Sequence, residues 1–268
     1  VEYYNKLDKV TQLPERSPQI GDLRLKGHNS AYFFDSVEYL RWFDGKLRWN
    51  YLFGDITHIP PFPAIVKSRP IKGDNANSVV LNLDKLRHFT FLKDKIEFRD
   101  KMDKSIFRGH ITQKPNRRRF MEMFYGHPMC DAGIIVPTAE FPPEWAKKKI
   151  TLYDHLVYKF ILALEGTDVA SNLKWIMSSN SIAVMPKPTY ETWYMEGTLI
   201  PNYHYIEIKS DFSDLEERLN YYIQHPEEAE QIVRNANEYV SQFFDKKREK
   251  LISLLVMEKY FSMTGQKQ

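Results

Sequence analysis

The chain has 268 residues, 43% of them hydrophobic and 27% charged, and 38 Lys+Arg against 35 Asp+Glu give a net charge of +3. At roughly 150 residues per domain this is one large domain or two small ones, and the composition excludes a disordered chain, a collagen-like repeat and a coiled-coil rod. A net charge so near zero gives no ground by itself for a nucleic-acid binder, so an anion site has to be local.

The single cysteine, Cys130, cannot form an internal disulfide, and no Cys/His cluster has zinc spacing, a pattern that suits a reducing cytoplasm. No run of about 18 apolar residues is present, so no membrane-spanning segment is expected. The opening Val1-Glu2-Tyr3-Tyr4 has neither a basic n-region nor an apolar h-region, so no signal peptide is expected.

Aromatic residues crowd the first third: Tyr32, Phe33, Phe34, Tyr39, Trp42, Phe43, Trp49, Tyr51 and Phe53. They read either as a packed β-rich or mixed core or as a wall that stacks on sugar rings. Strands are expected over residues 48–53, 64–66, 79–81, 105–107, 134–136, 181–185 and 203–208. The charge-dense stretch 93–103 reads as a solvated surface helix or connector, and places a boundary between an aromatic-rich N-terminal half and a longer C-terminal half. Helices are expected over 116–124, 153–164 (N-cap Thr151), 171–177, 215–223 (capped by Ser213, with Glu216 at the capping-box position) and 226–244. Strands alternating with helices point to an α/β parallel sheet. A last helix, 246–263, mixes Lys246, Lys247, Arg248 and Lys250 with Leu251, Leu254, Leu255, Met257 and Phe261. It reads as packing on the first domain, or as docking on an anionic membrane.

Three constellations carry chemistry. In Phe107-Arg108-Gly109-His110-Ile111-Thr112 a strand runs into a glycine turn, and then into a helix start bearing Arg117-Arg118-Arg119. Backbone N–H groups and guanidinium forks gathered there suit a diphosphate, although residues spaced by 100° cannot all face one ligand. In Glu165-Gly166-Thr167-Asp168-Val169-Ala170-Ser171-Asn172 an apolar segment turns through small residues into a new helical pattern, with Lys174 adding a charge. The strand 181–185 empties into a Pro-flanked loop with Lys187, Tyr190 and Glu191, placed where ligands sit in open α/β sheets.

These blocks resemble glycosyltransferase family 90, the lipopolysaccharide-modifying and protein O-glucosyltransferase family. The markers are Phe107-Arg108-Gly109, Tyr158-Lys159-Phe160, Glu165-Gly166 with Ala170-Ser171, Ser179-Asn180-Ser181, Pro201 with His204-Tyr205, and Asp211-Phe212-Ser213-Asp214-Leu215. The detail over 165–177 is most similar to the bacterial lipopolysaccharide-core branch. The resemblance implies an α/β GT-B architecture: two Rossmann-like domains facing across a cleft, the N-terminal one reduced. Residues 1–103 would bind acceptor, joined by the C-terminal helix 246–268, and 104–245 would bind the nucleotide sugar.

It also implies an inverting transfer from a UDP-hexose to a lipopolysaccharide or lipo-oligosaccharide core sugar. No metal and no cofactor besides the donor are implied, and the place would be cytoplasmic, with a peripheral inner-membrane contact. Inversion needs one base, which the resemblance sets at Asp55, with His58 as the alternative on the acceptor side. Arg108, Gly109, His110, Thr112 and Arg117 (or Arg118 beside it) would bind donor, together with Gly166, Ala170, Ser171 and Asn172. Where the family carries a second Arg this chain has Leu173, so Lys174 or Lys187 would substitute, and Glu191 would hold a sugar or ribose hydroxyl. Competing readings are transfer to a protein Ser and a non-catalytic nucleic-acid binder using Arg117–Arg119.

Overall fold

A period-two alternation sorts the side chains of the central strands onto two apolar layers. The computed structural model describes residues 1–25 and 30–266, so residues 267 and 268 of the expected C-terminal segment lie outside the described residues. The N-terminal half holds helix α1 (Ser30–Leu40) and strands β1 (Tyr51–Leu52), β2 (Ala64–Val66), β3 (Ser68–Pro70) and β4 (Ser78–Val80), closed by the one-turn helix α2 (Lys85–His88). The C-terminal half runs β5 (Met102–Gly109), α3 (Pro115–Phe124), β6 (Cys130–Ile134), α4 (Leu152–His155), β7 (Tyr158–Leu162), α5 (Leu173–Met177), β8 (Ile182–Met185), β9 (Tyr190–Thr192) and β10 (Ile206–Glu207). Helices α6 (Leu215–Gln224), α7 (Pro226–Ser241) and α8 (Lys246–Met263) end it.

Two parallel sheets result. The first has order β1-β2-β4; the second has order β6-β5-β7-β8-β10. In the second, the chain moves outward one way from β5 to β6 and the other way from β7 onward. The gap beyond the C-terminal ends of β5 and β7 is therefore a topological switch point, where open α/β sheets bind ligands. Phe107, Phe160, Leu162, Ile182 and Val184 face one layer with Phe120, Phe212 and Leu219. Their neighbours Ile106, Ile161, Ala183 and Met185 face the other, in an unbroken core with Trp49, Ile65, Val79 and Tyr260. The two sheets thus share apolar packing. The antiparallel pair β3–β9 and the stack of Tyr4 on Trp193, 3.7 Å between centroids, also join them.

Several elements differ from expectation. The segment 153–164 is not one helix: Thr151 does cap α4, in a reciprocal box with Asp154, but the chain then becomes the central strand β7. A strand covered on both faces carries a continuous apolar run, which periodicity cannot tell from a buried helix. Part of the aromatic-rich first third forms α1, and Trp49 and Tyr39 are core, whereas Phe34 and Trp42 are exposed. The connector 93–103 is not fully solvated: Phe98 is buried, and so is Lys101, whose ammonium lies 2.7 Å from Asp94. Helix α6 takes Asp214, not Ser213, as its N-cap. Apolar residues spread around α8: Val256, Met257, Tyr260 and Phe261 are buried, while Leu251 and Leu255 are exposed.

Helix α8 returns to the N-terminal half. Tyr260 Oη donates to the Pro63 carbonyl at 3.1 Å and accepts from Asn50 N–H at 2.9 Å, while Asn5 Nδ2 donates to the Val256 carbonyl. Tyr260→Phe strands both backbone partners in the core, which costs about 1–3 kcal/mol. The variant is expected to melt roughly 2–10 °C lower in calorimetry. An unchanged melting temperature would show that α8 is not held this way.

Candidate active site

A cleft of about 510 Å³ opens at the switch point. From the C-terminal half it is walled by Arg108, Gly109 and His110 after β5, Arg117 on α3, and Ser171 and Asn172 before α5. Arg87 and Leu86 of α2 close it from the N-terminal half.

Arg117 is the organising residue. The Pro115 start of α3 turns it inward, while Arg118 pairs with Glu122 and Glu140 on the surface and Arg119 is exposed. Its Nε donates to the carbonyls of Leu164 and Glu165, Nη2 to Leu164 at 2.6 Å, and Nη1 to His110 at 3.0 Å. These contacts staple the loop after β5 to the loop after β7. Of the five N–H bonds of a guanidinium, three are engaged, which leaves one on each terminal nitrogen. No carboxylate pairs with it among the described residues. Burial, then the repulsion of Arg87, pull its pKa down to about 10 against the weaker attraction of Asp168. The cleft wall therefore carries an uncompensated positive charge with free donors.

Glycines stand at two close approaches in these loops, of which Gly166 makes room for Arg117. A Cβ on Gly166 would stand 3.1 Å from Arg117 Nη2, and one on Gly109 would stand 2.6 Å from the Phe107 ring. The expected helix from Ser171 is shorter than read, beginning at Leu173 and running five residues. Asn172 Nδ2 anchors its start to the Leu162 carbonyl.

Asp55 follows β1 and stands behind the N-terminal wall. Its carboxylate lies 2.5 Å from Lys67 Nζ and 3.5 Å from Arg87 Nη1. Burial alone would raise its pKa, but the hydrogen bond and charge of Lys67, with Arg87, hold it below the usual carboxylate range. Lys67 is fully buried and also meets Asp168 at 2.8 Å, and Asp168 in turn accepts from Ser68 Oγ at 2.6 Å. Arg87 further approaches Asp84 at 3.6 Å, whose pKa burial raises. The half-exposed Arg87 thus connects the cleft to Asp55.

Other expected residues lie elsewhere. Lys174 is fully buried against Glu196, so its charge is spent inside the core and does not reach the cleft. Glu191 is sealed between Arg69, at 2.7 Å, and the Tyr3 hydroxyl, and joins the halves across β3–β9. Lys187 and His58 are exposed and do not line the cleft. Thr112 and Ala170 do not line it, and Arg108, though lining it, turns its guanidinium to Asp131 at 2.7 Å. Sequence reasoning missed Arg87, Lys67, Asp84 and the cleft residues His155 and Trp175. Asp168 lay inside a quoted motif without a role, and its one signal was an acid among small turn residues.

Among the described residues no group of three or more His, Cys, Asp or Glu gathers as metal ligands would, and no helix is long and apolar enough to cross a membrane.

The chain is 43% identical over 263 residues to O-glucosyltransferase LpsA of Dichelobacter nodosus, covering 98% of this chain and 82% of that protein. It is 29% identical over 139 residues to protein O-glucosyltransferase 3 of Rattus norvegicus, covering 50% of this chain and 27% of that one. Protein O-glucosyltransferase 2 of Danio rerio shares 34% identity over 86 residues, 32% of this chain and 17% of its own. The model of glycosyl transferase family 90 matches residues 82–264, which takes in the whole switch-point cleft. The chain is a glycosyltransferase of family 90.

Proposed function

We propose that the protein is an inverting glycosyltransferase of GT-B type, moving a hexose from a UDP-sugar to a hydroxyl of a lipopolysaccharide or lipo-oligosaccharide core sugar. The observation that carries this is Arg117, a partly buried guanidinium with two free N–H bonds and no counter-ion among the described residues, at the switch point of a parallel sheet. Such a group stabilises a leaving diphosphate, because its charge is preorganised and partly dehydrated. Arg87, facing it from the other half, takes the place of the missing second cation. That the relatives are O-glucosyltransferases favours glucose as the hexose. The likeness to LpsA over nearly the whole chain favours its branch over the protein-modifying one, matched over half.

In this reading the acceptor oxygen attacks the anomeric carbon as the bond to the UDP oxygen breaks. The electron pair leaves on the diphosphate, against Arg117, and Asp55 takes the acceptor proton. Asp55 is ionised at neutral pH but a weak base while Lys67 and Arg87 both hold it. A diphosphate competing for Arg87 would remove one of those charges and raise its proton affinity. Positive side chains carry the leaving-group charge, so no divalent metal is required, and the acceptor is met at the inner face of the inner membrane.

UDP is expected to raise the melting temperature in the presence of a chelator. Arg117→Ala should weaken UDP roughly 30–100-fold in calorimetric titration, the cost of about 2–3 kcal/mol for charge-assisted bonds. Full UDP affinity in that variant would remove the basis of the reading.

Asp55→Asn should abolish hexose transfer, followed by mass spectrometry on truncated lipo-oligosaccharide, while UDP binding persists. Normal transfer would show that the base lies elsewhere. The same variant carries a pH signature. A carboxylate whose folded pKa is depressed stabilises the fold above its unfolded pKa, near 3.8, and loses that contribution as pH falls through the folded value. The stability gap between wild type and Asp55→Asn in urea should be full at pH 7 and close below about pH 4. A pH-independent gap would mean that the Lys67 pairing does not hold Asp55 ionised.

A further inference from the structure

The cleft lining is uneven in chemistry. Arg87 and Arg117 lie within each other's field, and Asp168 also acts on Arg117. Another part is built from Ile150, Leu152, His155 and Trp175, and the charges that reach His155 are those of Arg108, Asp131 and its neighbour Asp154. A cationic pair and an aromatic-aliphatic slot in one cleft match the two ends of a nucleoside diphosphate.

The slot has a defined polarity. His155 closes α4, which the Thr151–Asp154 capping box fixes: Asp154 N–H donates to Thr151 Oγ1, and Thr151 N–H donates to Asp154 Oδ2 at 2.7 Å. His155 Nδ1 lies 2.7 Å from the Thr151 carbonyl oxygen. A carbonyl oxygen only accepts, so Nδ1 carries the proton. Burial lowers the ring's pKa further than the Thr151 bond raises it, and Arg108 also disfavours the cation. The ring is therefore neutral, and its Nε2 is a lone-pair acceptor. An edge contact with Trp175, 5.5 Å between centroids at 67°, holds the ring plane. Nε2 has no protein partner among the described residues and is not one of the fully enclosed unpaired atoms, although His155 lines the cleft. One acceptor is thus presented to whatever ring fills the slot.

We propose that this slot takes the uracil ring of the donor, with His155 Nε2 accepting the hydrogen bond of uracil N3–H, so that His155 sets the nucleotide specificity. The inference rests on the reading of the cleft as a nucleotide-sugar site. Uracil presents a donor at N3 between two carbonyls. Cytosine presents a lone pair at the same atom, which would face the His155 lone pair with no proton between them. A site built around one unpaired acceptor rejects the ring that cannot donate to it.

The test is calorimetric titration of the full chain with UDP, CDP and UDP methylated at N3, in wild type, His155→Phe, His155→Gln and Arg117→Ala. Wild type should bind UDP at least roughly tenfold more tightly than either CDP or the N3-methyl compound, the scale of one buried hydrogen bond left unmade. His155→Phe should lose the preference, with UDP weakened to the level of CDP. His155→Gln should keep UDP, because its amide oxygen can take the place of Nε2, and should admit CDP by turning its NH₂ inward. The N3-methyl arm uses wild-type protein, so it stands whether or not the variants fold. Equal wild-type affinity for the three nucleotides, or a preference that survives in His155→Phe, overturns the inference. If Arg117→Ala loses UDP while His155→Phe discriminates normally, the cleft is a nucleotide site and His155 does not read the base. If wild type binds none of the three, the reading of the cleft falls as well.

Discussion

A guanidinium partly removed from water, with no carboxylate beside it among the described residues, is the constraint around which this cleft is arranged. Dehydrating the charge of Arg117 is costly, and carbonyl dipoles from Leu164, Glu165 and His110 only partly offset it. Those carbonyls belong to the loops after β7 and β5, so satisfying the cation also fixes the two edges of the switch-point gap. Gly166 follows from the same requirement, since a side chain there would crowd the Arg117 guanidinium. A cation held this way, with a second cation on α2 lining the same cleft, leaves that wall positively charged.

A buried ionic seam sets the opposite wall. Lys67 bridges Asp55 and Asp168, and Arg69 bridges Glu191 to the carbonyls of Tyr3, Tyr4 and Ser78. Asp168 and Glu191 come from the C-terminal half and the lysine and arginine from the N-terminal half, so the seam crosses between the two sheets. Removing one partner of such a pair leaves an uncompensated buried charge, which makes the seam exacting about register rather than a large net source of stability. Its geometry decides where Asp55 stands relative to Arg87, and hence how the wall behind the cleft meets the cationic cradle.

Much of the C-terminal half was legible in the sequence because its alternation of short strands and capped helices is a local signal. β8, α3, α7 and α8 all fall close to their expected bounds. β7 was not legible: with both faces covered, Phe160, Ile161 and Leu162 lack the polar alternation that marks a strand. The resemblance over 107–239 led to the loops that line the cleft, but charge type alone could not separate a ligand-facing side chain from one consumed by the core. Lys174 and Glu191 carry the chemistry of a donor site in sequence and are sealed against Glu196 and Arg69 in space. Arg87 and His155 were invisible for the converse reason. Neither sits in a motif, and each is brought to the cleft by tertiary packing of a one-turn helix.

The most direct test is a structure of the full chain with UDP bound. The account predicts the diphosphate within hydrogen-bonding distance of Arg117 Nη1 and Nη2, between the turn at Gly109 and Ser171, with Arg87 drawn toward it. UDP seated outside the switch-point cleft, or lying in it with Arg117 still bonded only to backbone carbonyls, would contradict the account.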